Sequence, residues 1–384
     1  MSVAVTRFSI ESGFGRKKLN RKFWIPSFAV ILATIQHYRC GRNLTLIVLL
    51  TAINLTPAAV AAETDWSDPM QLLGRDIGPG SRSKFPFIPD RSYEASYLNM
   101  PVFVARGLEP GPTLCLTAGV HGDELNGVEV ARRVFAGIDP QALRGTLIVL
   151  PAINAEGVRA GTRYLSDGRD LNRAFPGRAG GSVAALIAHA IFRDVLNHCD
   201  ALLDLHTASN QRANLPQIRA DLDDPVIRDL AIHFGAGILV AGSGPDGSLR
   251  REAAKAGIPA IIYEAGEPLR FQKEEIERGV QGVENVMAYL DMTEHVEREI
   301  PDDLIYQRSR WIRTALRSGG FFFPIAGLGD IVNSGDLLGN IVDPLTDESI
   351  EVISPMSGEI IGMSVSQPVL SGYALFHIAW HDSE

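Results

Sequence analysis

Two histidines and two glutamates stand where short apolar runs give way to polar turns. In Ala118-Gly-Val-His121-Gly-Asp-Glu124, a His and a Glu three residues apart across a glycine-containing turn can face one ion, and imidazole with carboxylate suits zinc. The same residues also fit a helix start at which Asp123 and Glu124 merely favour the helix dipole. In Leu203-Asp-Leu-His206-Thr an imidazole ends an apolar run, a costly position unless the ring is ligated or hydrogen-bonded within the core. Ile261-Ile-Tyr-Glu264-Ala-Gly-Glu267 ends another run in a carboxylate, with Glu267 as a competing candidate on the outgoing loop. A long polar loop, Arg163-Tyr-Leu-Ser-Asp-Gly-Arg-Asp170-Leu-Asn172-Arg173-Ala-Phe-Pro-Gly177, carries several guanidinium groups, whose planar fork suits carboxylates and carbonyl oxygens. Arg169 and Arg178 read as exposed salt-bridge partners. After His206, Arg212 and Arg219 add cationic side chains, consistent with an anionic substrate.

Something must bring these segments together. From residue 112 onward, short apolar runs alternate with helix-compatible stretches: strands over 113–118, 146–150, 201–205, 237–240 and 259–263, and helices over 127–135, 182–197, 225–234 and 273–289. Such alternation specifies an α/β domain with a mostly parallel sheet covered by helices on both faces. Carboxyl ends of parallel strands converge on one crevice, so two His and two Glu at three such ends point to a single metal site with a free carboxylate beside it. After Arg317 glycine and proline become frequent and turn signals recur, which reads as a small all-β domain. The chain therefore divides into an N-terminal extension over 1–62, a lead-in over 63–109, a catalytic domain over 110–300 and a β-rich domain over 318–384.

The order His-Gly-Asp-Glu, Asp-Leu-Asn-Arg-x-Phe-Pro-Gly, Asp-Leu-His-Thr and a strand-end Glu resembles the succinylglutamate desuccinylase/aspartoacylase family, of the zinc carboxypeptidase clan. The resemblance covers residues 110–290, and the β-rich tail is similar to that family's C-terminal domain. It implies one zinc per chain on His121, Glu124 and His206, with Glu264 as catalytic acid and base. It further implies that Arg163 polarises the carbonyl, that Asn172 and Arg173 clamp a substrate carboxylate, and that Asp170 orients a ligand histidine. Amide-bond hydrolysis of an N-acyl amino acid or similar small carboxylate-bearing substrate is the expected activity, with a carboxypeptidase-like action on short peptides as the alternative. The segments 332–336 and 354–358 also resemble the half-barrel of biotinyl or lipoyl carriers, but no Lys follows Lys273 to serve as an attachment point.

Charge and leader complete the reading. Of 36 basic and 45 acidic side chains, segment 1–62 holds eight and one, leaving 28 basic against 44 acidic. So acidic a remainder repels phosphate backbones, which argues against nucleic acid as a partner and leaves a small anionic substrate and a possible homo-oligomer. A basic flank, an apolar run over 44–55 and the small residues Ala58 to Ala62 follow the pattern of a secretory signal ending near Ala62, and hence of export to the periplasm; a membrane anchor over 44–62 is the alternative. Beyond residue 62 there remain two cysteines, Cys115 and Cys199, each read on a buried strand shortly before a metal-ligand candidate and expected to be inert thiols, with a disulfide, which export would permit, as the alternative.

Overall fold

The computed structural model describes residues 65–89, 99–294 and 304–382. The segment 1–62, with the export signal expected there, lies outside the described residues. Among the described residues no helix is long and apolar enough to cross a membrane.

Ten strands form the main path of the large sheet. In chain order they are β1 (Ser81–Phe87), β2 (Met100–Arg106), β3 (Glu109–Ala118), β4 (Arg144–Leu150), β5 (Ala201–His206), β6 (Arg212–Ala220), β8 (Ala260–Gly266), β9 (Arg308–Arg313), β13 (Gly358–Ser364) and β14 (Ala374–Trp380). A further strand, β7 (Ile238–Ala241), pairs in parallel with β6. Across the sheet the order is β9-β14-β13-β6-β8-β5-β3-β4-β2-β1. The inner four, β8, β5, β3 and β4, are parallel, as the alternation of elements requires. Antiparallel strands flank them: β6 against β8, and β2 against β4.

Side chains on successive strand residues feed two separate cores. Leu114, Leu116, Leu203, Leu205, Ile261 and Tyr263 pack beneath α1 (Leu125–Gly137), α4 (Pro225–Phe234) and α6 (Lys273–Tyr289). The intervening Cys115, Ile148, Leu150, Leu202 and Ala260 face α3 (Val183–Asp194) and α5 (Leu249–Lys255). Helix ends follow local chemistry. The Asp224 carboxylate accepts Val226 N–H at 2.8 Å, Pro225 occupies the first turn, and Gly235 closes α4 in the left-handed region at φ 73°.

Expectation and structure part at four places. A short helix, α2 (Ala155–Ala160), precedes the long polar loop, which itself contains a 3₁₀ turn at Leu171–Arg173. The segment after His206 is a short loop followed by β6, antiparallel to the strand that carries Glu264. The β-rich tail has its own core around Phe322, Leu338, Ile341 and Phe376, with β10 (Gly320–Pro324), β11 (Leu337–Val342) and β12 (Ser349–Ile353) in a second sheet. Its strands β13 and β14, with β9, continue the large sheet, because Gly362 to Ser364 pair with Asn214 to Arg212. Residues 66–382 thus fall in one compact unit. Finally, Cys115 and Cys199 are not free thiols. They are joined in a disulfide across 84 residues, with Cys115 in mid-β3 and Cys199 just past a 3₁₀ turn rather than on a strand. Register brings them together, since Cys115 is paired with Leu202 and the chain enters β5 directly beneath it.

Candidate functional site

Strand register assembles the site. Thr117 is opposite Asp204 across β3 and β5, and His206 is opposite Glu264 across β5 and β8, so Asp204, His206 and Glu264 rise from one face of the sheet at its carboxyl edge. His121 and Glu124 occupy the turn between β3 and α1. Gly122 has to be glycine there, since a Cβ would lie 1.9 Å from the backbone carbonyl carbon of Gly157 in α2.

Both imidazoles turn Nδ1 towards one buried carboxylate. His121 Nδ1 lies 2.7 Å from Glu124 Oε1, and His206 Nδ1 lies 2.6 Å from Glu124 Oε2. The ligating atoms of the three residues lie within 4.8 Å of one another, so His121, Glu124 and His206 form a group that can hold a metal ion. Behind each ring stands another carboxylate. His206 Nε2 is 2.9 Å from Asp204 Oδ2, whose Oδ1 accepts the Thr117 hydroxyl at 2.7 Å. His121 Nε2 lies 3.3 Å from Asp170 Oδ1, a looser contact without hydrogen-bond geometry. A carboxylate at Nε2 orients a ring with Nδ1 towards Glu124 and makes it a stronger donor, firmly for His206 and more loosely for His121.

The electrostatics also fit a cation. Glu124 and Asp204 are 2% and 0% exposed, so their charges have little water to rely on. Burial opposes the Glu124 carboxylate, yet the charges and hydrogen bonds of His121 and His206 hold it well below the carboxylate range. Burial likewise opposes the His206 imidazolium, but Asp204 and Glu124 lift it well above an ordinary histidine; His121 is raised for the same reasons by Glu124 and Asp170. Two imidazoles and one carboxylate, converging and backed by carboxylates, are a donor set suited to zinc.

Arg163 and Asp170 close one side. Arg163 Nη2 donates to Asp170 Oδ2 at 2.9 Å, and its Nη1 is 3.6 Å from Glu124 Oε1. Asp170 Oδ1 accepts Asn172 N–H at 2.8 Å, which tightens the 3₁₀ turn that carries Asn172 and Arg173. The Asn172 Oδ1 in turn accepts Leu249 N–H at 2.8 Å, and Arg173 Nη1 donates to the Asn172 carbonyl at 2.7 Å. On the other side Glu264 Oε2 accepts Asn214 Nδ2 at 2.6 Å and lies 3.3 Å from Arg219 Nη2. Glu267 lies past the end of β8, its N–H donating to Gln272 and its carboxylate turned to Arg270, as an outgoing loop residue would. Arg169 is an exposed partner of Asp167.

All the expected site residues line one cavity of about 460 Å³: His121, Glu124, Arg163, Asp170, Asn172, Arg173, His206, Arg212 and Glu264. The β-rich tail supplies part of the wall through Trp311, Arg313 and Ala374. The Arg212 guanidinium carbon lies over the rings of Trp311 and Tyr373, 5.2 and 5.1 Å from their centres. Reading by motif missed Asp204, Asn214, Arg219 as a partner of Glu264, and Arg250. Asp204 had a visible signal, a lone acid in an apolar strand; the other three reach the site only through the antiparallel β6 and through α5.

Comparison with known proteins agrees with this geometry. Residues 110–290 match the family model of the succinylglutamate desuccinylase/aspartoacylase catalytic domain. The chain is 27% identical over 273 residues to N-alpha-acetyl-L-2,4-diaminobutyric acid deacetylase of Halomonas elongata, covering 68% of this chain and 78% of that one. Among solved structures, a succinylglutamate desuccinylase/aspartoacylase from Rhodobacter sphaeroides superposes with a TM-score of 0.71 at 25% identity, covering 78% of this chain and 96% of the other. An aspartoacylase family protein from Mesorhizobium loti gives a TM-score of 0.69 at 27% identity, over 80% and 96% of the two chains.

Proposed function

Because this chain belongs to the succinylglutamate desuccinylase/aspartoacylase family, we propose that it is a zinc-dependent hydrolase of the amide bond in an N-acyl amino acid or similar small carboxylate-bearing substrate. One observation carries the reading: the His121, Glu124, His206 group and the Glu264 carboxylate, which is opposite His206 across β5 and β8, line one arginine-rich cavity. When bound, zinc would supply a water of lowered pKa and polarise the carbonyl.

The remaining work falls to side chains. His121, Glu124 and His206 would hold the ion, and Asp204, with Asp170 more loosely, orients the rings. Asn214 and Arg219 grip Glu264 by Oε2, which aims the carboxylate into the cavity; it takes the proton of the attacking water and returns it to the leaving amine. Arg163, beside Glu124, donates to the carbonyl oxygen as negative charge develops there. Asn172 and Arg173 hold the free carboxylate, and Arg212 lends its fixed charge to the same wall. A cavity of about 460 Å³ suits a small acylated amino acid, and the Halomonas elongata relative is named for a deacetylation of that kind. The buried Cys115–Cys199 disulfide supports export as the fate of the chain, since such bonds persist in oxidising compartments.

The test compares an N-acyl amino acid, its carboxamide and a tripeptide, using wild type and Arg173→Met. The acyl amino acid should be the best substrate, the carboxamide poor, and Arg173→Met weaker by roughly 10²-fold in catalytic efficiency on the free acid. Better cleavage of the tripeptide would make the protein a carboxypeptidase-like peptidase instead.

A further inference from the structure

Asp123 stands between Gly122 and Glu124, and the function proposed above leaves it unused. Nor does it serve the helix that follows: α1 begins at Leu125, has no acid in its first turn, and is capped by Glu124 without a side-chain bond. The Asp123 carboxylate, only 6% exposed, instead crosses to the loop after His206. Its Oδ2 accepts the Ser209 hydroxyl at 3.0 Å, Oδ1 lies 3.2 Å from the same hydroxyl, and Asn210 N–H approaches Oδ2 at 3.5 Å. A buried acid beside a second buried acid is costly to place, which makes its contacts informative.

The loop it reaches needs holding. Asn210 and Gln211 both lie in the left-handed region, at φ 55° and 57°. Asparagine enters that region more readily than most residues, but glutamine has no such ease, and such a pair persists where the surroundings impose it. The outer side of the loop is fixed by the β-rich tail: Tyr373 Oη donates to the Asn210 carbonyl at 2.9 Å, and Val365 N–H to the Gln211 carbonyl at 2.9 Å. At its start, Ala208 N–H donates to the Gly266 carbonyl of β8 at 3.2 Å. Asp123 holds the middle, at Ser209.

What the strained segment supports is the cavity wall. Thr207, Ala208, Ser209 and Asn210 line the cavity and lead to Arg212, whose Nη1 donates to the Ser209 carbonyl at 3.4 Å. Resting on the function proposed above, we infer that Asp123 and Ser209 are positioning residues, a latch that ties the strained 207–211 wall to the turn carrying His121 and Glu124, so that the wall and Arg212 stand in place before substrate enters. Glu264 is held separately, by Asn214 and Arg219, so opening the latch weakens substrate binding and leaves the chemical step largely intact.

The experiment uses the full chain loaded with zinc and the best-cleaved member of a panel of N-acetyl amino acids. In Ser209→Ala, KM should rise on the order of tenfold, with kcat within about threefold of wild type and zinc content unchanged. Ser209→Thr, which keeps the hydroxyl, should stay within about threefold of wild type in KM. Adding Gln211→Gly to Ser209→Ala should recover most of the lost KM, because glycine takes the left-handed conformation without strain and the wall then needs less holding. Asp123→Ala should match Ser209→Ala, and the double variant should be little worse than either. KM within about twofold of wild type in Ser209→Ala overturns the inference, as does a loss confined to kcat. So does failure of Gln211→Gly to recover binding, which would make the hydroxyl a direct substrate contact. If Asp123→Ala fails to fold, the Ser209 variants decide. If no acylated amino acid is cleaved at all, the proposed activity falls, and hydrogen exchange decides the latch alone: exchange across 207–212 faster by about tenfold in Ser209→Ala, and slowed again by Gln211→Gly, upholds it, whereas an unchanged rate overturns it.

Discussion

Replacing Asp204 by Asn tests the arrangement behind His206 with little disturbance to the fold. The carboxylate is fully buried, with one oxygen on Thr117 Oγ1 at 2.7 Å and the other on His206 Nε2 at 2.9 Å. An asparagine of the same shape can keep both contacts: its carbonyl accepts from the ring, and its amide donates to the threonine hydroxyl, which rotates to accept. What is lost is the negative charge that strengthens Nδ1 as a donor and holds the ring in the ligating tautomer. Losses of this kind cost about 10–100-fold in metal affinity, or roughly 1.4–2.7 kcal/mol. Competition against a chromophoric zinc chelator near pH 7, at fixed ionic strength, measures the ratio directly. Circular dichroism of the metal-free variant confirms that it is folded. Zinc affinity within about twofold of wild type, in a folded variant, would refute the claim that Asp204 acts through the metal and reduce it to a packing partner of Thr117.

Further outcomes are expected. Glu264→Gln should keep its zinc but lose turnover by on the order of 10² or more, because an amide cannot take the proton; full activity in that variant with loss in Glu267→Gln would move the role to the outgoing loop. Zinc uptake should release protons. Both rings hold a proton more tightly in the fold than an ordinary histidine does, so zinc must displace it and the apparent affinity should rise with pH. The same shifts favour the metal-free fold below the ordinary histidine value of about 6.5, an advantage lost as pH climbs through the folded-state values. Calorimetry in buffers of different ionisation enthalpy near pH 7 should show more protons released per zinc than the roughly half a proton that two ordinary histidines would give, and no excess would contradict the upward shifts. Replacing Cys115 and Cys199 together by alanine should cost about 2–4 kcal/mol in denaturant unfolding, since the bond closes a long loop; an unchanged midpoint would count against the bond.

Much of the site was legible in the sequence because parallel strands present their last residues at one edge. His206 and Glu264 follow apolar runs that could only be buried strands, and the structure places them opposite each other in register. His121 and Glu124 needed only the turn between β3 and α1. The Asp170 to Arg173 turn was legible as a motif, and its geometry follows from the capping contact of Asp170 with Asn172. What stayed hidden depends on pairing across distance. Asn214 meets Glu264 because β6 runs back antiparallel to β8, a strand masked in the sequence by its polar residues. Arg250 reaches the cavity from a helix of seven residues with no motif around it. The Cys115–Cys199 bond follows from the β3–β5 register, where reasoning from the number of cysteines alone favoured thiols.

The most direct measurement of the central claim is reconstitution of the protein against zinc. Protein stripped by a chelator should hold no activity on an acylated amino acid, and titration should restore it in proportion to metal, with a breakpoint at about one zinc per chain. In His121→Ala and His206→Ala, elemental analysis should find little bound zinc and the activity should not return. Full turnover by the stripped wild type, or a full complement of zinc in either histidine variant, would contradict the assignment of His121, Glu124 and His206 as the metal centre of this hydrolase.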